Sequence, residues 1–210
     1  MPAPPPTEVR LEGFHALKHA LRFGAEILHV SGDQAEIEAL AEQLAPDLTL
    51  PAIEPGEEII ALARPRAYDL QAALARPGPV VYLEAPRRLG NLGAAIRVAA
   101  AADAAAVLTT ADPWHPVAIR GAAGLQFALP VLQVDAPPKT RKLIAIDPGG
   151  DEKGVAKNVT LAFGSERHGL TPELLAQADD RIRIPMRAGV SSLNVATAVA
   201  AVLYGAMTRD

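Results

Sequence analysis

The chain has 210 residues, half of them hydrophobic and only 4% aromatic, which suffices for one generous core or two small ones. The absence of cysteine excludes a disulfide scaffold and thiolate zinc sites and fits a reducing cytoplasm. The net charge of −4 is uneven: residues 1–76 hold 6 Lys/Arg against 12 Asp/Glu, and residues 77–210 hold 14 against 12. A basic footprint for nucleic acid is therefore absent from the whole chain and confined, if present, to its second part.

Met1 to Thr7 is Pro-rich and uncharged, unlike a secretory signal, and nothing later offers the ~18 uninterrupted apolar residues of a bilayer span; a cytoplasmic protein with no membrane partner is expected. Residues 1–70 read as a small α/β unit. Phe14, Leu17, Ala20 and Leu21 recur at helical spacing, and Ile27 to Val30 make a strand. Asp33 caps a helix carrying Ile37, Leu40, Ala41 and Leu44. Leu48 to Ile53 form another strand, and Pro55-Gly56-Glu57-Glu58 restarts a helix through Ala63. Arg64 to Pro79, with three prolines and a weak helix, is the expected linker to a second domain over 77–210.

From Val80 the pattern is strand, helix, strand over short connections, the signature of a mainly parallel sheet and an α/β fold. Val80 to Leu83, Ala105 to Leu108, Leu129 to Val134, Leu143 to Ile146, Val159 to Phe163 and Ile182 to Ile184 are the strands. Helices are expected over Leu92 to Ala102, Val117 to Leu125, from Thr171, and from about Leu193 to Met207. Only eight residues, Asp135 to Lys142, join two of these strands, where a parallel crossover normally needs about a dozen or more.

Ligands of open α/β sheets bind outside the carboxyl ends of the strands, and the chemically suggestive residues fall there. Asn91 and Arg97 follow the first strand, Gly164 to Gly169 a later one, and Met186 to Asn194 the last. Neither the dinucleotide glycine fingerprint nor the Walker phosphate loop occurs. Taken singly, each residue has an ordinary structural explanation: Arg97 reaching solvent or pairing with Asp103, Asn91 as a cap or turn, Glu166 as a solvated loop acid. Ser192 would cap the last helix, with Asn194 in its first turn.

Their joint order is the informative feature. Asn-x-Gly-x-x-x-Arg at Asn91–Arg97, Gly-x-Glu-x-x-Gly-Leu at Gly164–Leu170, Ile184-Pro185-Met186, and Ser-Leu-Asn-Val at Ser192–Val195 resemble the SpoU (TrmH) family of RNA ribose methyltransferases. The resemblance runs from about Val80 to Ala206 and implies a carboxyl-terminal trefoil knot of the SPOUT type. It also implies S-adenosyl-L-methionine as cofactor, held by Gly164, Ile184 and Leu193, and methyl transfer to a ribose 2′-hydroxyl of RNA with no metal. By position, Asn91, Arg97, Glu166, Ser192 and Asn194 fall on the family's functional residues, with Glu166 available to orient Arg97. Because guanidinium holds its proton, Arg97 is read as positioning ribose and phosphate and stabilising developing charge.

Arg120, in Ile119–Gly124, matches a recurrent family arginine and is the candidate RNA contact; a charge-masking surface role competes with it. Residues 1–70 resemble, more loosely, the ribosomal-protein-L30-like (L30e-like) substrate domain of many relatives, which places ribosomal RNA ahead of transfer RNA as substrate. The resemblance further implies a homodimer that packs the final helix and completes the site from both subunits. The alternatives are a catalytically silent RNA-binding or ribosome-assembly module with the same fold, and an unrelated small-molecule α/β enzyme.

Overall fold

The computed structural model describes residues 1–207, the side chain of Met207 excepted. The first 64 residues form a four-stranded mixed sheet of order β1-β4-β2-β3, with β1 at Val9–Glu12, β2 at Glu26–Gly32, β3 at Ile53–Pro55 and β4 at Ile60–Arg64. Helices α1 (Phe14–Arg22) and α2 (Gln34–Leu44) cover it, the second capped by Asp33, whose carboxylate accepts from Glu36 N at 2.8 Å. Two expectations fail here. The helix expected through Ala63 is β4, and the strand expected over Leu48 to Ile53 is confined to β3. Ile59, Ala61 and Ala63 are buried on alternate positions, and β4 pairs antiparallel with both β1 and β2. Tertiary pairing thus overrides the helix-forming composition of Glu57 to Ala63.

After α3 (Leu70–Ala75) comes a six-stranded sheet in which every pairing is parallel, of order β10-β8-β9-β5-β6-β7. Its strands are β5 (Val80–Leu83), β6 (Ala106–Thr109), β7 (Val131–Gln133), β8 (Leu143–Asp151), β9 (Thr160–Phe163) and β10 (Asp180–Ile182). Four of them, β5, β6, β9 and most of β7, are buried without alternation, because helices cover both faces. On one face Val81, Leu83, Ile144, Leu161 and Phe163 pack against α4 (Leu89–Ala101), α5 (Pro116–Ala122) and α7 (Val195–Met207). On the other, Val80, Tyr82, Leu108 and Ala162 meet Ala73 and Leu74 of α3 and Leu174 of α6 (Pro172–Gln177).

The short connection keeps parallel pairing by crossing without a helix. From β7 to β8 lie four strand intervals, about 19 Å, and the nine residues 134–142 reach about 30 Å when extended. Arg141 anchors this crossing by donating to the carbonyls of Leu74, Arg76 and Gly78, tying it to the end of α3. At the far edge β10 pairs with β8, yet α7 packs on α4, so residues 183–194 return across the sheet's carboxyl end.

Helices α4 and α5 approach through glycine. A Cβ on Gly93 would stand 2.2 Å from Ala118 O and 2.8 Å from Ala122 N, both backbone atoms that no rotamer change can move. Gly93→Ala is expected to lower unfolding stability by about 2–3 kcal/mol, read as a fall in the urea midpoint at unchanged slope. The two sheets share an apolar seam: Trp114, Ile119 and Phe127 join the cluster of Leu17, Leu21 and Val30, and His19 Nδ1 lies 2.7 Å from Ala123 O. Among the described residues no helix is long and apolar enough to cross a membrane, and no group of three or more His, Cys, Asp or Glu is placed to hold a metal.

Candidate active site

At the carboxyl end of the large sheet lies a cleft of about 500 Å³, within the range of small-molecule sites. Gly164, Ile184 and Leu193, separated by up to 29 positions, all line it, with Ile146, Phe163 and Met186 completing its apolar wall. Leu193 is 38% exposed there, an apolar side chain left bare at the mouth. Ser192 and Glu166 line the same cleft, whereas Asn91, Asn194, Arg97 and Arg120 do not. Asp147 and Pro148 also line the cleft, from the part of β8 that runs on past its last pairing with β9 at Ile146, and the sequence does not single them out. The strand-exit rule applied there as well, but no motif residue drew attention to them.

The loop after β9 is closed on itself. Ser165 N donates to Gly169 O and Gly169 N to Ser165 O, each at 3.0 Å, so Glu166, Arg167 and His168 form the tip of a tight turn. Gly169 supplies the positive φ of 66° at its end. Gly164 is required by space instead: a Cβ there would lie 2.0 Å from Gly169 C and 2.2 Å from Leu170 N.

Three side chains make a continuous relay beside this turn. Asn91 Nδ2 donates to Glu166 Oε1 at 2.6 Å, Asn194 Nδ2 donates to Asn91 Oδ1 at 3.1 Å, and Asn194 Oδ1 accepts from Ala196 N at 2.9 Å. The polarity is forced from one end, since a carboxylate only accepts, so Asn91 must turn its amide NH₂ to it and its carbonyl to Asn194. Asn194 is therefore the cap of α7, which begins at Val195; the cap expected at Ser192 lies two residues too early. Asn91, read as preceding a helix, sits inside the first turn of α4.

Burial pushes the Glu166 carboxyl upward. The Asn91 amide, its own backbone N–H, that of Arg87 and the charge of Arg88 outweigh it and hold the pKa below the ordinary 4.5. Glu166 is thus ionised at neutral pH and acts as an acceptor. A depressed folded-state pKa stabilises above the unfolded value and that contribution is lost as pH falls through the folded one. Urea unfolding of wild type and Glu166→Gln should accordingly differ most above pH 4.5 and converge below it.

Arg97 stands apart. It is exposed on α4, six residues beyond Asn91, which is about 9 Å along the axis and on another side of the helix. Among the described residues it makes no hydrogen bond or ion pair, so the expected orientation by Glu166 does not occur within one chain, nor does pairing with Asp103. Arg97 instead lines a second cleft, at the seam between the sheets, together with Arg120. Arg120 Nη2 donates to Glu12 Oε2 at 2.8 Å, a pairing the sequence did not disclose.

The parallel sheet, the glycine-walled cleft at its carboxyl edge and the hydrogen-bonded chain that ties three distant segments together define an α/β protein with an open cleft at its strand exits. The model of the SpoU rRNA Methylase family matches residues 78–204, and the chain belongs to that family, bearing out the resemblance carried by the motifs. It is 29% identical over 190 residues to a 23S rRNA (uridine(2479)-2′-O)-methyltransferase of Streptomyces viridochromogenes, covering 79% of this chain and 66% of the relative. A 23S rRNA (guanosine(2553)-2′-O)-methyltransferase of Bacillus subtilis is 30% identical over 145 residues, 62% of this chain and 58% of the relative. The chain spans between about half and two thirds of the length of the relatives it matches by sequence.

Among solved structures, the SpoU methyltransferase AviRb from S. viridochromogenes in complex with the cofactor AdoMet superposes with a TM-score of 0.79 at 25% identity, over 97% of this chain and 90% of that one. A structure described as an RNA 2′-O ribose methyltransferase gives 0.75 at 28% identity, over 97% and 89%. The α/β architecture with a mainly parallel sheet is shared with these.

Proposed function

We propose that the chain transfers a methyl group from S-adenosyl-L-methionine to a ribose 2′-hydroxyl of RNA, ribosomal RNA ahead of transfer RNA. The observation that carries this is the convergence of Gly164, Ile184 and Leu193 on one apolar cleft next to the Glu166–Asn91–Asn194 relay, in a chain whose relatives are named for 2′-O-methyl transfer to 23S rRNA. The cleft fits the donor: its volume is that of a small-molecule site, its wall is apolar, and a Cβ at Gly164 would collide with the turn that frames it. When bound, the donor supplies an electrophilic methyl on a sulfonium.

The chain's own residues do the rest. Backbone and apolar groups at Gly164, Ile184 and Leu193 hold and orient the donor, and Ser192 lines the same wall. The ionised Glu166 fixes Asn91, Asn91 fixes Asn194, and Asn194 locks the start of α7, so three loops keep one geometry for in-line attack. Arg97 positions ribose and phosphate and spreads the charge on the 2′-oxygen as the new C–O bond forms, the methyl–sulfur bond breaks with its electron pair left on sulfur, and the hydroxyl proton passes to solvent water.

Because Arg97 lies outside the donor cleft of its own chain, the active form is a homodimer in which it serves the cleft of the second copy. Support comes from the bare face of α7, where Thr197, Ala201 and Tyr204 are exposed on a helix without a charged residue in either end turn. A trefoil knot is part of the proposal, supported by the return of residues 183–194 from the β10 edge to place α7 on α4. So is a division into an L30-like substrate unit over 1–70 and a methyltransferase domain over 77–210, supported by the two separate sheets.

Incubation with methyl-labelled S-adenosylmethionine and total RNA is the test. A 2′-O-methyl group removes the nucleophile of alkaline cleavage, so the proposal predicts label in alkali-resistant dinucleotides. No label in RNA, or label released with ordinary mononucleotides, contradicts it.

A further inference from the structure

The seam cleft is built for an anionic, partly aromatic ligand. About 280 Å³ in volume, it is lined by Arg10 from β1, Phe14 and His15 from α1, Arg97 from α4 and Arg120 from α5. Three guanidinium groups here face one carboxylate, Arg10 coming from the strongly acidic first 76 residues and Arg97 and Arg120 from the more basic remainder. That carboxylate, Glu12, bridges two of them: Oε1 accepts from Arg10 Nε at 3.1 Å and Oε2 from Arg120 Nη2 at 2.8 Å. A phosphodiester presents two non-bridging oxygens in the same sense, so the arginines are already spaced for it.

The bridge is also cheap to exchange. Its side chains are 41–68% exposed, and exposed ion pairs contribute little to stability. Beside it Phe14 is 37% exposed, set edge-on to His15 at 5.5 Å between ring centroids. A bare aromatic ring next to guanidinium groups is the combination by which unpaired bases are stacked while their backbone is neutralised.

We infer that this cleft binds a single-stranded segment of RNA, one phosphodiester bridging Arg10 and Arg120 and an adjacent base stacking on Phe14, with Glu12 holding the phosphate position until RNA displaces it. The inference rests on RNA being the substrate and adds to it a specific seat and an internal competitor. Glu12 then lowers affinity for any RNA that does not fill the seat, and gives the acidic amino-terminal unit a role in selection rather than in bulk attraction.

Binding of a short fluorescein-labelled single-stranded RNA of mixed sequence, followed by anisotropy over a series of salt concentrations, decides it. Glu12→Gln, and Glu12→Ala as a second removal of the charge, are expected to tighten binding roughly three- to tenfold at low salt. Phe14→Leu should weaken binding by about fivefold or more. In an Arg10→Ala/Arg120→Ala background the gain from Glu12→Gln should vanish. Unchanged or weaker binding by both Glu12 variants, or wild-type affinity for Phe14→Leu, overturns the inference while leaving RNA as substrate. Absence of RNA binding by wild type and every variant overturns both.

Discussion

Arg97→Ala is expected to reduce methyl transfer to RNA on the order of 10²- to 10³-fold while leaving affinity for S-adenosylmethionine unchanged. The separation of the two effects follows from geometry. Arg97 lies about 9 Å along α4 from Asn91 and lines the seam cleft, with no atom on the wall that holds Gly164, Ile184 and Leu193. It is exposed and makes no hydrogen bond or ion pair among the described residues, so its truncation leaves no buried partner stranded and should shift stability by less than about 0.5 kcal/mol. A guanidinium keeps its proton, so what disappears is charge stabilisation and placement of the ribose, not a base. Initial rates at saturating donor, set beside donor affinity by calorimetry, measure both halves. Near-normal turnover would remove Arg97 from the mechanism.

Gly164→Ala should produce the complementary defect, loss of donor binding by about 100-fold or more, equivalent to about 2.8 kcal/mol. The added Cβ would fall 2.0 Å from Gly169 C, 2.2 Å from Gly169 O and 2.2 Å from Leu170 N. These are backbone atoms of a turn closed by two 3.0 Å hydrogen bonds, so the turn must open rather than flex. Opening it carries Glu166 away from Asn91 and reshapes the wall of the cleft. Equilibrium dialysis with labelled donor reads the loss; retained affinity would show that the wall is not where the donor sits. If the site is shared between copies, mixing the two inactive chains should restore transfer, because one cleft of the mixed dimer then pairs an intact Gly164 with an intact Arg97.

What could be read from the sequence was whatever rests on local periodicity or on motif. The strands at Val80–Leu83 and Thr160–Phe163 are buried on both faces and appear as unbroken apolar runs. Thr171-Pro172 announced α6, with Thr171 Oγ1 accepting from Leu174 N at 3.3 Å. The segment Ile59 to Ala63 reads as helix because its alanines and leucine, behind Glu57 and Glu58, favour helix locally. Only its place between two partner strands makes the alternation of Ile59, Ala61 and Ala63 decisive. The short strand β1 gives no local signal either, because its partner lies some fifty residues away.

At the candidate site, the motifs single out loops that the structure brings together, but not their wiring. Nothing local distinguishes a glutamate that orients Arg97 from one that accepts from Asn91, because the choice depends on which side of α4 faces the turn. Ser192 and Asn194 are both good capping residues, and their assignment was settled by where α7 could begin while Asn194 also reached Asn91. The seam cleft was the least legible feature. Its bridge joins Glu12 to Arg120 across 108 positions, and Phe14 reads in isolation as one more apolar residue of an amphipathic helix.

Whether the strand-exit cleft of this chain holds S-adenosylmethionine is decided by titration calorimetry of the full chain with that donor and with its demethylated product. Saturable uptake of one donor per chain, competed by the product and lost in Gly164→Ala, is the predicted result. No uptake of either compound, or uptake that Gly164→Ala leaves intact, would contradict it.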